Sequence, residues 1–93
     1  MNCKRKGTRN EHKTIKLLSA AGYECIRSAA SLGPFDVIGI SANDFVLVQV
    51  KSNRNASAVE IETIRSLAVP SNCRKLIHIW KDGERTPITK TVE

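Results

Sequence analysis

The 93-residue chain has few aromatic residues (4%), only three cysteines and three prolines, and no long apolar run. Four rings are too few for a stacking platform of the kind that grips single-stranded nucleic acid, so Tyr23 and Trp80 are read as core or subunit-contact residues. Cys3, Cys25 and Cys73 are odd in number and widely scattered, which excludes a disulfide framework and a zinc knuckle with Cys-x-x-Cys spacing. They are read as reduced thiols. The longest apolar stretches, such as 45–48, fall far short of the roughly 20 residues of a membrane-spanning helix. No apolar segment follows the basic N-terminus as it would in a signal peptide, so a cytoplasmic protein with no membrane partner is expected. Gly7 and Gly83 precede no Gly-Lys-Ser/Thr, so a phosphate loop, and with it a nucleotide cofactor, is not expected.

Acidic residues are also scarce: nine Asp and Glu stand against fifteen Lys and Arg, a formal charge of +6. The location of this excess is more informative than its size. Lys4, Arg5, Lys6, Arg9, Lys13 and Lys16 lie within the first sixteen residues against Glu11 alone. A polyanion is the natural partner of such a stretch, and Lys4, Arg5, Lys6, Arg9 and Lys13 are the expected nucleic-acid contacts. Phosphate contacts of this kind position a protein on its target without reading base sequence, and they weaken steeply with salt.

What is present reads as one α/β domain over residues 1–93, with helices and strands separated by short turns. Thr8 and Glu11 fit a capping box, with Ile15, Leu18 and Ala21 at helical spacing and Gly22 as a left-handed cap, predicting a helix over 8–21. Strands are predicted over 23–29, 35–40 and 45–51, the last two joined by the turn 41–44. The third is continuously apolar up to Gln49, as suits a strand covered on both faces. Ser57 and Glu60 form a second capping box and open a crossover helix that ends before Pro70. A fourth strand follows over 76–80, and 88–92 is a marginal edge strand after Pro87. The order αβββαβ(β) predicts a small mixed β-sheet flanked by helices.

Two polar groups interrupt otherwise apolar strands, and burying them is costly unless something satisfies them. If 41–44 is a tight four-residue loop, Ile40 faces Phe45, and stepping back along both strands sets Asp36 opposite Gln49. The period of two puts Lys51 on the face of Gln49, one diagonal step from Asp36. Glu11 shares the helical stripe of Ile15 and Leu18 and so points toward the core. Taken alone, Glu11 is explained by its capping box, and Ser31 by turn chemistry in its Gly-Pro loop. His12 is read as helix surface and His78 as strand packing, since neither has a partner at ligand spacing.

An Asp, about a dozen residues, then Gln-x-Lys on a strand, all preceded by a helical Glu, resembles the PD-(D/E)xK nuclease superfamily and implies its restriction-endonuclease-like fold. The segments KGTRNE, IRSAASLGPFDVIGI and VLVQVKS look most like the archaeal Holliday-junction resolvases within it. The resemblance places Glu11, Asp36, Gln49 and Lys51 on catalytic positions, Ser31 on an active-site serine, and Arg9 among DNA-contacting residues. It implies a Mg²⁺-dependent endonuclease, Mn²⁺ substituting, that cuts branched DNA. Cleavage of a phosphodiester needs a hard cation, an in-line water and relief of the charge growing on phosphorus oxygens. Asp36 is then the main metal ligand, and Gln49 Oε1 and the Val50 carbonyl are neutral oxygen donors. Lys51 orients or deprotonates the water, or offsets transition-state charge. Glu11 binds the metal through water or at a second site.

Gln49 departs from the family, which usually has Glu there, and the missing charge leaves Lys51 with less electrostatic support. A homodimer is expected, because a core this small is marginal alone and symmetrical junction cutting needs two sites. The competing expectations are a DNA-binding module without turnover, or a subunit of a larger recombination or restriction assembly.

Overall fold

The computed structural model describes residues 3–28 and 33–93, with side chains in the first segment from residue 7 onward. The elements are α1 (Cys3–Ala20), β1 (Glu24–Arg27), β2 (Val37–Ile40), β3 (Phe45–Ser52), α2 (Ala58–Ser66), β4 (Cys73–Trp80) and β5 (Ile88–Val92). They build one five-stranded sheet in the order β1-β2-β3-β4-β5, parallel between β3 and β4 and antiparallel elsewhere. The predicted α/β class and mixed sheet are therefore present, and the marginal fifth strand is a full edge strand.

The first helix begins at Cys3, not at Thr8. Lys and Arg are good helix formers and no proline interrupts 3–8, so the helix runs through the expected cap and places Thr8 and Glu11 in its interior. The capping box there does not form. Its buried stripe is Asn10, Thr14 and Leu18, four residues apart, with Ile15 beside it and Ala21 exposed beyond the end. The C-terminus closes as a Schellman motif, with the Tyr23 amide donating to Leu18 O at 3.1 Å and the Gly22 amide to Ser19 O at 3.1 Å. Gly22 takes φ +99°, which suits only glycine at low cost.

The β2–β3 hairpin follows the predicted register, Ile40 pairing Phe45 across the loop 41–44. Ser41 Oγ accepts from the Asn43 and Asp44 amides inside that loop. Gly39 pairs Val46, and a Cβ at this position would lie 2.8 Å from Val46 Cγ2, so the strands approach as closely as they do because no side chain intervenes. α2 carries β3 over to the parallel β4, and its Ser57–Glu60 capping box is complete.

Alternation along β3 and β4 divides the core between two faces. Val46, Val48 and Leu76 join Leu18 of α1 and Val37. Phe35, Ala56, Ile77, Ile79 and Val92 join Ile64 of α2. The buried Lys75 on the α2 side donates to Ile64 O, Arg65 O and Leu67 O at 2.9–3.1 Å, closing the carbonyl end of α2. On the α1 side Thr14 Oγ1 accepts from Trp80 Nε1 at 2.8 Å and meets His78 Nδ1 at 3.1 Å.

Candidate active site

At the carboxyl end of β3, Leu47, Gln49 and Lys51 share the face covered by α2. The antiparallel register continues one residue past β2, where the Asp36 amide donates to Val48 O at 2.9 Å, so Asp36 stands beside Gln49 as the hairpin predicts. The Val50 amide in turn donates to Asp36 Oδ2 at 2.8 Å and fixes the carboxylate against β3. Asp36, Gln49, Val50 and Lys51 line one cleft of about 380 Å³, closed by Gly33 and Pro34 on one side and by Glu60 and Thr63 of α2 on the other. A larger cleft of about 520 Å³, between α1 and Trp80, offers cations and an apolar floor but none of these residues.

Glu60 is the residue that the strand pattern alone does not reveal. Its Oε2 accepts from Lys51 Nζ at 2.5 Å and from Gln49 Nε2 at 3.4 Å, while its Oε1 accepts from the Ser57 amide at 2.9 Å. The charge missing at position 49 was expected to leave Lys51 with less electrostatic support; a carboxylate from α2 pairs with it instead. The signal was present in the capping box, since an N3 carboxylate on a helix that starts just after β3 is carried back to the end of that strand.

Burial pushes the Asp36 carboxyl above its ordinary pKa, partly offset by the Val50 amide and by Lys51. Glu60 is held down at about 2, chiefly by its hydrogen bond from Lys51. Glu11 lies on α1, outside the cleft lining, and accepts from Arg27 Nη1 of β1 at 3.2 Å. Burial and the negative charge of Asp36 both raise its pKa, so the two acids sense one another across the end of the sheet. Arg9 and Lys13 are exposed on α1, Lys13 Nζ lying 5.4 Å from the Trp80 ring centroid. Ser31 falls outside the described residues, as do the side chains of Lys4, Arg5 and Lys6.

The donors suit a hard divalent cation. Gln49 Oε1 is buried and has no hydrogen-bond partner, an orphan whose cost calls for a ligand. Among the described residues no three His, Cys, Asp or Glu gather at ligand spacing. The set is thus one carboxylate with neutral oxygens, a donor set that suits a hard divalent cation able to keep several of its waters.

A mixed sheet that presents Asp36 and Gln-x-Lys at the end of its central strand defines a nuclease of the PD-(D/E)xK type. The sequence model of the archaeal Holliday junction resolvases (Hjc) matches residues 2–79. The chain belongs to that family, whose members are structure-specific DNA endonucleases. Among solved structures it is similar to the 1.6 Å structure of Archaeoglobus fulgidus Hjc, a Holliday junction resolvase from an archaeal hyperthermophile. The TM-score is 0.75 at 23% identity, over 94% of this chain and 73% of that one. No curated protein sequence matches the chain.

Proposed function

We propose that this chain cuts four-way DNA junctions with a divalent metal ion held at Asp36 and Gln49. The observation that carries this reading is the buried, unpartnered Gln49 Oε1 in register with Asp36, with Lys51 on the same face of β3. Asp36 supplies the anionic ligand; Gln49 Oε1 and the Val50 carbonyl supply neutral oxygens. When bound, Mg²⁺, or Mn²⁺ in its place, polarises a non-bridging phosphate oxygen and lowers the pKa of a coordinated water. Lys51 Nζ orients the attacking water or offsets charge growing on the phosphate. Glu11, at the margin of the site, acts through water or at a second ion, and Ser31, five positions before Asp36 in the sequence, is a further candidate for the site. Arg9 and Lys13, continuing the basic run of Lys4, Arg5 and Lys6, hold the DNA backbone. Two copies related by a two-fold axis set two sites on opposing strands. No helix among the described residues is long and apolar enough to cross a membrane.

The test is a denaturing-gel assay on labelled four-way junction, flap and linear duplex with Mg²⁺, Mn²⁺ or EDTA. Wild type is expected to make paired, metal-dependent nicks in the junction. Asp36→Asn should lower the rate by at least a hundredfold while junction binding persists. Metal-dependent nicking by Asp36→Asn at the wild-type rate would remove Asp36 from the site. Tight binding without cleavage by wild type would make the chain a binding module.

A further inference from the structure

The Gln49 amide has two orientations, and its surroundings choose between them. With Nε2 toward Glu60 Oε2, 3.4 Å away, a donor faces an acceptor. Turned over, Oε1 would face the carboxylate, and two acceptors would repel. Glu60 thus sets Oε1 on the side away from α2, where it lies buried without a partner. The same carboxylate oxygen holds Lys51 Nζ. One acid on α2 therefore orients both polar side chains of the Gln-x-Lys pair, and a glutamate at position 49 would bring a second carboxylate against it.

We propose that Glu60 is a positioning residue of the metal site. It carries the negative charge that position 49 lacks, and it fixes the direction of the Gln49 carbonyl oxygen and of the Lys51 ammonium. Gln49 and Glu60 act as a matched pair, one neutral and one charged, whose total charge matters more than its distribution between β3 and α2. The inference rests on the metal-site reading above and deepens it.

The experiment is a titration of the intact protein with Mn²⁺, free of DNA, followed by the loss of the free-ion electron spin resonance signal. Wild type, Asp36→Asn, Glu60→Gln, Gln49→Glu and the Gln49→Glu/Glu60→Gln double variant are compared. Glutamine at position 60 keeps an acceptor for the Ser57 amide, so the capping box and the fold persist, as thermal melting would verify. Glu60→Gln is expected to weaken Mn²⁺ by about tenfold, the usual scale for a residue that orients a ligand. Gln49→Glu alone is expected to change affinity by less than the double variant does relative to Glu60→Gln, because only the double variant separates the carboxylates. In the double variant affinity should return to within about threefold of wild type, a non-additivity that a merely structural role does not produce. Wild-type affinity in Glu60→Gln, or strict additivity of the two substitutions, would overturn this inference while leaving Asp36 as a ligand. If Asp36→Asn binds Mn²⁺ as wild type does, the metal-site reading fails and this inference with it.

Discussion

A buried ammonium ion has to find partners for its protons, and Lys75 finds three at once. The side chain leaves β4, crosses beneath the last turn of α2 and ends among the carbonyls of Ile64, Arg65 and Leu67. These are the acceptors that a helix end leaves open, and a cation there also complements the helix dipole. Lys75→Met keeps the apolar stem and removes the donors, so Arg65 O and Leu67 O lose the ammonium while Ile64 O keeps only the Leu67 amide, 3.2 Å away. A loss of about 2 kcal/mol is expected, the scale of a hydrogen-bonded charged group. Urea denaturation is the measurement: the midpoint should fall with an unchanged m-value. An unshifted midpoint would mean that water replaces the ammonium. Lys75 carried no signal in the sequence, because its acceptors come from α2 and become neighbours only once the crossover is in place. Asp36 and Gln49 were legible for the opposite reason, since a single tight loop fixes their pairing.

Among the elements, α1 is joined to β4 by a buried polar contact. His78 is 2% exposed and Thr14 fully buried. Thr14 bridges the His78 ring and the Trp80 indole, two rings that stand nearly perpendicular with centroids 6.5 Å apart. The charged group facing this cluster is Lys13, above Trp80. Burial lowers the His78 pKa from 6.5 to about 4, so the folded protein holds the ring neutral. The unfolded chain takes up a proton as pH falls below 6.5 and the folded one does not until about 4. Stability from this ring is therefore complete above pH 6.5 and is lost on acidification through that window, by at most about 3 kcal/mol. Asp36 and Glu11, with raised values, contribute in the opposite sense. Comparing unfolding free energy at pH 7 and pH 4.5 for wild type and His78→Gln isolates the histidine. The variant should show a smaller drop, and equal drops would remove His78 as the source. Elements with a strong local signal, the 41–44 hairpin and the Ser57 cap of α2, lie where the sequence predicts them. The start of α1 does not, because Thr8 is a cap only if nothing upstream prolongs the helix, and the basic residues before it do. The buried stripe shifts toward Asn10 and Thr14 because their side chains find Ser52 and His78 in the folded sheet, partners that periodicity cannot anticipate.

At the scale of the whole molecule, most of the formal charge of +6 sits on α1, where Lys4, Arg5, Lys6, Arg9, Lys13 and Lys16 face Glu11 alone in the sequence. Binding to a junction then draws much of its strength from release of cations condensed on DNA, and the logarithm of the binding constant falls linearly with the logarithm of salt concentration. Each phosphate neutralised adds about 0.9 to that slope. Arg9 and Lys13 are both exposed and four residues apart, on one side of α1. In a single bound copy, Arg9→Ala would lower the slope by about 0.9. In the two-fold pair proposed here every substitution removes two phosphate contacts, and the expected change is about 1.8. Fluorescence anisotropy on a labelled four-way junction between 50 and 300 mM salt, in EDTA so that no strand is cut, measures this directly. Arg9→Ala should give the doubled change, while Asp36→Asn, whose charge lies in the cleft beside Gln49, should leave the slope within error of wild type. A change near 0.9 would mean that one copy engages the junction. No change would remove Arg9 from the DNA-binding face and shift the electrostatic contact to the other basic residues of the chain.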